Sequence, residues 1–156
     1  MTRASLYALA GVVAAGALAV AASAAATPLV RTAHNAHLNT TILVNRQGHT
    51  LYDLSVERRG RFICTTKTCL TLWHPLVVAK GTKPRGSVSL GTIVRPDGRT
   101  QVTYKGAPLY TFAEDAKLGD VRGEGFKDVG VWHAAATRAA AGAKTTPPSG
   151  GAYTYP

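Results

Sequence analysis

Gly48-His-Thr-Leu51-Tyr52-Asp-Leu54-Ser-Val-Glu57 and Gly106-Ala-Pro-Leu109-Tyr110-Thr-Phe112-Ala-Glu-Asp115 are two copies of one pattern. Each copy runs on to a Trp-His pair, Trp73-His74 in the first and Trp132-His133 in the second. Tyrosine to tryptophan spans 21 positions in one copy and 22 in the other, so a single insertion aligns them. A repeat this short cannot bury a core alone, so the two copies are expected to pack against each other as one domain. Period-2 alternation puts Tyr52 with Leu54, and Tyr110 with Phe112, on the expected inner face of two related hairpins. Trp73 and Trp132 are expected to complete the shared core, because large aromatics dominate small cores.

Outward from the copies, the chain reads as short strands and turns. Thr40 to Val44 is β-branched, Asn45 to Gly48 is a turn, and Thr50 to Leu54 returns as the second arm of a hairpin. Arg61 to Cys64 reads as a third short strand, Cys69 to Trp73 as one helical turn stopped by Pro75, and Leu76 to Val78 as an apolar segment. Val88 to Val94 and Thr100 to Tyr104 flank Arg95-Pro96-Asp97-Gly98-Arg99, where proline presets the turn and Asp-Gly supplies positive-φ positions. Lys105 to Pro108 turns the chain into Leu109 to Phe112, and a glycine-rich loop leads to a last strand around Val131 to Ala135. No helical period persists after the N-terminal segment. The fold class is therefore all-β: a single compact domain of two pseudo-equivalent antiparallel repeats, about 41–79 and about 92–136, within residues 40–138.

The ends read differently. Residues 1–26 carry Arg3, an apolar run from Leu6 to Ala22 and small-residue cleavage sites, the pattern of a signal peptide. A retained membrane anchor is the alternative, but the run is short and only weakly hydrophobic. No cysteine stands near the cleavage site to carry a lipid. Residues 27–39 are polar without a period and read as a flexible lead-in, and residues 139–156 have the Ala/Gly/Thr/Pro/Ser composition of a disordered tail. Eighteen Lys+Arg against eight Asp+Glu give a net charge of +10, and only Arg3 leaves with the signal. An exported protein seldom meets nucleic acid, so the partners of its basic surface are expected among anionic wall polymers, membrane surfaces or acidic polysaccharide. Arg58, Arg59 and Arg61 form one basic cluster, and Lys80, Lys83 and Arg85 a looser one. The oligomeric state stays open.

These residues resemble a bacterial family of secreted and lipoprotein repeats of unknown function, known for a Tyr-x-(Phe/Trp/Tyr)-x-x-Asp motif. Leu109-Tyr110-Thr-Phe112-Ala-Glu-Asp115 fits the motif directly; the first copy is looser, with Leu54 for the aromatic and Glu57 for the aspartate. The likeness extends to Cys64…Cys69…Trp73-x-Pro75-Leu76, to Arg95-Pro96-Asp97-Gly98 and to Gln101-Val-Thr-Tyr104-x-Gly106-x-Pro108, covering about residues 42 to 135. In that family the cysteines usually stand one residue closer, and many members carry a lipid-anchoring cysteine that this N-terminus lacks. The resemblance implies a location, the cell envelope or exterior, and no settled activity.

Candidate chemistry is sparse. Cys64 and Cys69 are the only cysteines, and a close, even pair in an oxidising compartment reads as a disulfide. A redox role would need a shorter spacing and a lowered thiol pKa. Cys64-x4-Cys69-x4-His74, with His133 or His49, has the composition of a zinc half-site but the spacing of no standard finger. His34 and His37 are the pattern of a loose copper or zinc pair on a mobile segment, or simply solvated. Trp73-His74 and Trp132-His133 invite a ligand groove framed by the two copies; the plainer reading is two core tryptophans beside two water-facing histidines. Glu57 and Asp115 occupy equivalent positions and invite an acid–base pair, yet no nucleophile accompanies them, and turn carboxylates commonly accept backbone N–H bonds. The expectation is thus a non-enzymatic exported module without a cofactor, binding an anionic envelope component. The alternative is a metal or small-ligand carrier using histidines of both copies.

Overall fold

A computed structural model describes residues 27–137. The signal-peptide and tail readings, on residues 1–26 and 139–156, lie outside the described residues. Val30–Asn35 (β1) and Thr40–Asn45 (β2) form an antiparallel ribbon in register from Val30↔Asn45 to Asn35↔Thr40. This corrects the reading of residues 27–39 as a flexible lead-in. Val30 and Asn35 are buried while Arg31, Thr32 and His34 face water, so the strand carries no period-2 signature. Its hold comes from backbone pairing and from Asn35, whose Nδ2 donates to Gly119 O at 2.9 Å and whose Oδ1 accepts from Leu38 N at 3.0 Å.

The expected hairpin after β2 closes only next to its turn. Asn45 N donates to His49 O at 2.9 Å and Val44 bridges Thr50, after which Tyr52–Leu54 (β3) leaves for another sheet. Lys67–Leu72 (α1) follows, its first turn capped by Thr66, whose hydroxyl accepts from Cys69 N at 3.3 Å. Next come Trp73–Pro75 (β4), Val77–Val78 (β5), Leu90–Val94 (β6), Thr100–Tyr104 (β7), Ala107–Pro108 (β8), Tyr110–Phe112 (β9) and Trp132–Ala134 (β10). At the β6–β7 hairpin, Arg95 N donates to Arg99 O and Gly98 N to Arg95 O, and of the Asp-Gly pair only Gly98 takes a positive φ, 81°. Residues 61–64 form no strand, because the N–H groups of Ile63 and Cys64 are drawn to the Glu57 carboxylate instead of a neighbouring chain.

One sheet joins both copies, in the order β10-β3-β9-β4. The tyrosine strands of the two copies lie side by side at its centre, with Tyr52 opposite Tyr110. The tryptophan strands are exchanged: β4 of the first copy pairs with β9 of the second, and β10 of the second pairs with β3 of the first. The registers are equivalent, Trp73↔Phe112 matching Trp132↔Leu54 and Pro75↔Tyr110 matching Ala134↔Tyr52. Two rings of backbone bonds repeat the symmetry. Leu43 N donates to Ala135 O, Ala135 N to Leu51 O and Leu51 N to Leu43 O; Val102, Leu76 and Leu109 close the same circuit in the second copy.

Two apolar clusters follow from this alternation. One holds Tyr52, Leu54, Trp73, Tyr110, Phe112 and Trp132; the other holds Val30, Leu43, Leu51, Val102 and Leu109. Trp73 and Trp132 stack with centroids 3.8 Å apart and planes within 6°, each indole delivered by the copy opposite the strand it pairs with. A second sheet, β5-β7-β6 with β8 alongside β7, flanks the first.

Candidate functional site

The exchange also governs the polar groups. Tyr52 Oη donates to Asp115 Oδ2 at 2.7 Å, and Tyr110 Oη donates to Glu57 Oε2 at 2.7 Å. Each tyrosine therefore reaches the carboxylate of the other copy. The remaining oxygens accept backbone N–H groups: Glu57 Oε1 from Ile63 at 2.6 Å and Cys64 at 2.7 Å, Asp115 Oδ1 from Arg122 at 3.0 Å. Glu57 and Asp115 sit just past β3 and β9, where Glu57 N and Asp115 N close turns back onto Leu54 O and Phe112 O. The spacing of the motif is thus a spacing between two half-sites, tyrosine on the strand and carboxylate in the turn that follows.

Electrostatics fix where the protons stay. Burial, reinforced by the Asp115 carboxylate, holds the Tyr52 hydroxyl far above the ordinary tyrosine range. Burial and the Glu57 charge do the same to Tyr110. Burial also raises the Asp115 carboxyl, against the bonds it accepts from Tyr52 and the Arg122 N–H. Such groups serve as hydrogen-bond anchors with the proton resident on the tyrosine. Weighed as an acid–base pair, Glu57 and Asp115 are instead each enclosed by donors.

Sequence reasoning missed three polar partners. Arg95, 2% exposed, donates to the Gln101 carboxamide, to Tyr110 Oη at 3.0 Å, to Cys64 O at 2.8 Å and to Asp97 Oδ2 at 3.3 Å, with the Phe62 ring 5.0 Å from its guanidinium carbon. Gln101, fully buried, also donates to Leu109 O at 2.7 Å. Glu124 holds His133 Nδ1 at 2.9 Å and accepts from Ala134 N at 2.7 Å. The one signal for Arg95 was parity, since it stands two residues after Ile93 and shares its face just past the end of β6; a charged side chain at the mouth of a turn ordinarily points to water. On the other side, Tyr52 Oη receives Gly123 N at 3.3 Å in place of a guanidinium.

Cys64 and Cys69 are bonded as a disulfide, with Cα atoms 5.5 Å apart, tying α1 to the segment that caps Glu57. The bonded sulfurs are not thiolates, which removes the half-site with His74 as a zinc ligand set. His74 and His133 are exposed on β4 and β10, the two outer strands of the sheet, with β3 and β9 between them. Three strand spacings amount to roughly 14 Å, so the two imidazoles do not share a ligand. His74 Nε2 lies 3.1 Å from Thr71 O, and His49 is half-buried in the turn after β2. His34, on β1, and His37 are exposed. Among the described residues no group of three or more His, Cys, Asp or Glu side chains converges as a metal site.

The basic residues divide. Arg58 pairs with Asp53 at 2.9 Å and Arg99 with Asp97 at 2.7 Å, whereas Arg59, Arg61, Lys80, Lys83 and Arg85 are exposed with no carboxylate within 4.0 Å among the described residues.

Fold and latches together define an all-β protein of two interlocked copies. Its second copy is similar to a known one: residues 91–136 match the model of a lipoprotein family described as a secreted repeat of unknown function, the family that the motifs resemble. That description agrees with an extracytoplasmic location. No curated protein and no solved structure matches the chain.

Proposed function

We propose that this protein is a non-enzymatic module of the cell envelope or exterior that binds an anionic envelope component. The observation that carries the reading is how its charges are used. Most of the acidic side chains are engaged: Asp53, Asp97, Asp120 and Glu124 in ion pairs, Glu57 and Asp115 in the buried latches. Arg31, Arg46, Arg59, Arg61, Lys80, Lys83 and Arg85, all exposed, have no such partner among the described residues. The excess charge therefore stands on the surface as free cations, the arrangement that attracts polyanions and is weakened by salt. The test is co-sedimentation with isolated envelope material at about 0.05 and 0.5 M salt, across which the screening length shrinks severalfold. Binding that falls with salt is the expected result. Salt-insensitive binding, or none, overturns the reading.

A further inference from the structure

Three of the exposed arginines without a carboxylate partner, Arg31, Arg46 and Arg85, meet where the described chain begins. Arg46 Nη2 donates to Thr27 O at 3.3 Å, and Arg31 Nη2 to Arg46 O at 3.1 Å, so two arginines lie over the start of β1 and the turn after β2. The loop carrying Lys80, Lys83 and Arg85 is tied to the same place: Leu29 N donates to Arg85 O at 2.8 Å, Ser87 N to Val30 O at 3.0 Å, and Val30 bridges Gly86. Arg31, Arg46 and Arg85 thus adjoin one edge of the fold, and Lys80 and Lys83 stand exposed on the loop that leads into it. The segments that supply this edge, between residues 27 and 52 and between 58 and 96, hold no acidic residue, and Asp120, whose loop packs on the turn after β2 through Thr50, is paired with Arg122.

The covalent chain adds a second constraint. The apolar run ends at Ala22, five residues before Thr27. A fully extended chain of five residues reaches roughly 18 Å at most. While that run occupies a bilayer, before any cleavage, the tether lets the basic edge reach the headgroups, where anionic lipids attract Lys and Arg within about a Debye length.

We propose that this edge, marked by Arg31, Arg46, Lys80, Lys83 and Arg85, is a docking surface for the anionic phospholipid face of the membrane. The proposal rests on the polyanion reading above and names its site and its partner. Each of the five side chains is worth about fivefold in membrane partitioning.

The experiment uses the full chain with vesicles of about one-third phosphatidylglycerol, vesicles of phosphatidylcholine alone, and isolated wall polymer. The phosphatidylcholine arm subtracts whatever the apolar run contributes. Replacing Arg31, Arg46, Lys80, Lys83 and Arg85 by glutamine together is expected to lower the phosphatidylglycerol-specific partitioning by at least about 100-fold. Replacing Arg59 and Arg61 by glutamine is expected to change it by less than about fivefold. A Tm equal to wild type certifies the fold of each variant, and single Arg46→Gln and Lys83→Gln variants, each about fivefold weaker, replace the quintuple variant if it does not fold. Equal vesicle binding by wild type and the quintuple variant overturns the proposal. Binding of wild type to wall polymer but not to phosphatidylglycerol overturns the membrane assignment while leaving the polyanion reading standing. Binding to neither overturns both.

Discussion

Tyr110→Phe is expected to destabilise the fold by about 2 kcal/mol, because it removes a donor to a buried charge and almost no apolar bulk. Glu57 is fully buried, and its Oε1 is already occupied by two backbone N–H groups. Without the hydroxyl, Oε2 loses its 2.7 Å partner, and Arg95 loses one of its acceptors. Hydrogen bonds to charged groups contribute about 1.5–3 kcal/mol, which for a domain of this size lowers Tm by roughly 10 °C. Tyr52→Phe acts likewise through Asp115. The decisive quantity is the coupling. Double-mutant cycles on urea unfolding should give interaction energies of about 1–2 kcal/mol for Tyr110→Phe with Glu57→Gln and for Tyr52→Phe with Asp115→Asn. The pairs within one copy, Tyr52→Phe with Glu57→Gln and Tyr110→Phe with Asp115→Asn, share no hydrogen bond and should add to within about 0.5 kcal/mol. Strong coupling within copies, with additivity between them, would refute the exchanged latch.

Gly123→Ala would place a Cβ 2.7 Å from Trp73 Cη2 and 3.0 Å from Tyr52 Cε1, both in the packed core, and should cost about 1–3 kcal/mol in urea unfolding; an unchanged midpoint would contradict that approach. Acid titration should separate two aspartates by sign. Asp115, raised by burial, favours the folded state below its unfolded value near 3.9 and loses that contribution as pH climbs through its folded value, so wild type should gain on Asp115→Asn upon acidification. Asp97, held well below the usual range by its hydrogen bonds from Arg99, behaves oppositely, and the advantage of wild type over Asp97→Asn should shrink below about pH 4. Unfolding midpoints that move in the same direction for both would contradict the assignments.

The repeat was legible because period-2 alternation reports which face a side chain occupies, and Tyr52, Leu54, Tyr110 and Phe112 do face one core. Alternation does not report which strand lies alongside. Nothing in the order of residues distinguishes Trp73 beside its own Tyr52 from Trp73 beside Phe112, so the exchange was invisible. β1 was missed because pairing holds it while four of its six residues are not buried. Residues 61–64 were read as a strand because extended, apolar sequence looks alike whether its N–H groups meet a neighbouring chain or a glutamate seven residues earlier. The histidines had the right symmetry for a shared site but the wrong place in the sheet. Arg95 was passed over because its burial depends on Cys64 O, 31 residues upstream, and on Tyr110, 15 downstream.

The exchange of strands also has a consequence in time. Leu54 takes its partner from Trp132, and Thr41 receives its bond from Thr137, so the first copy is completed by nearly the last described residues. A chain emerging N-terminus first leaves that copy open at one edge until residue 134 or so has passed. Non-local pairing of this kind defers folding, because a long loop must close before its contacts are won. Were the chain exported as an unfolded thread, the wait would be useful: the interlock would set only once residues 27–134 had reached the far side.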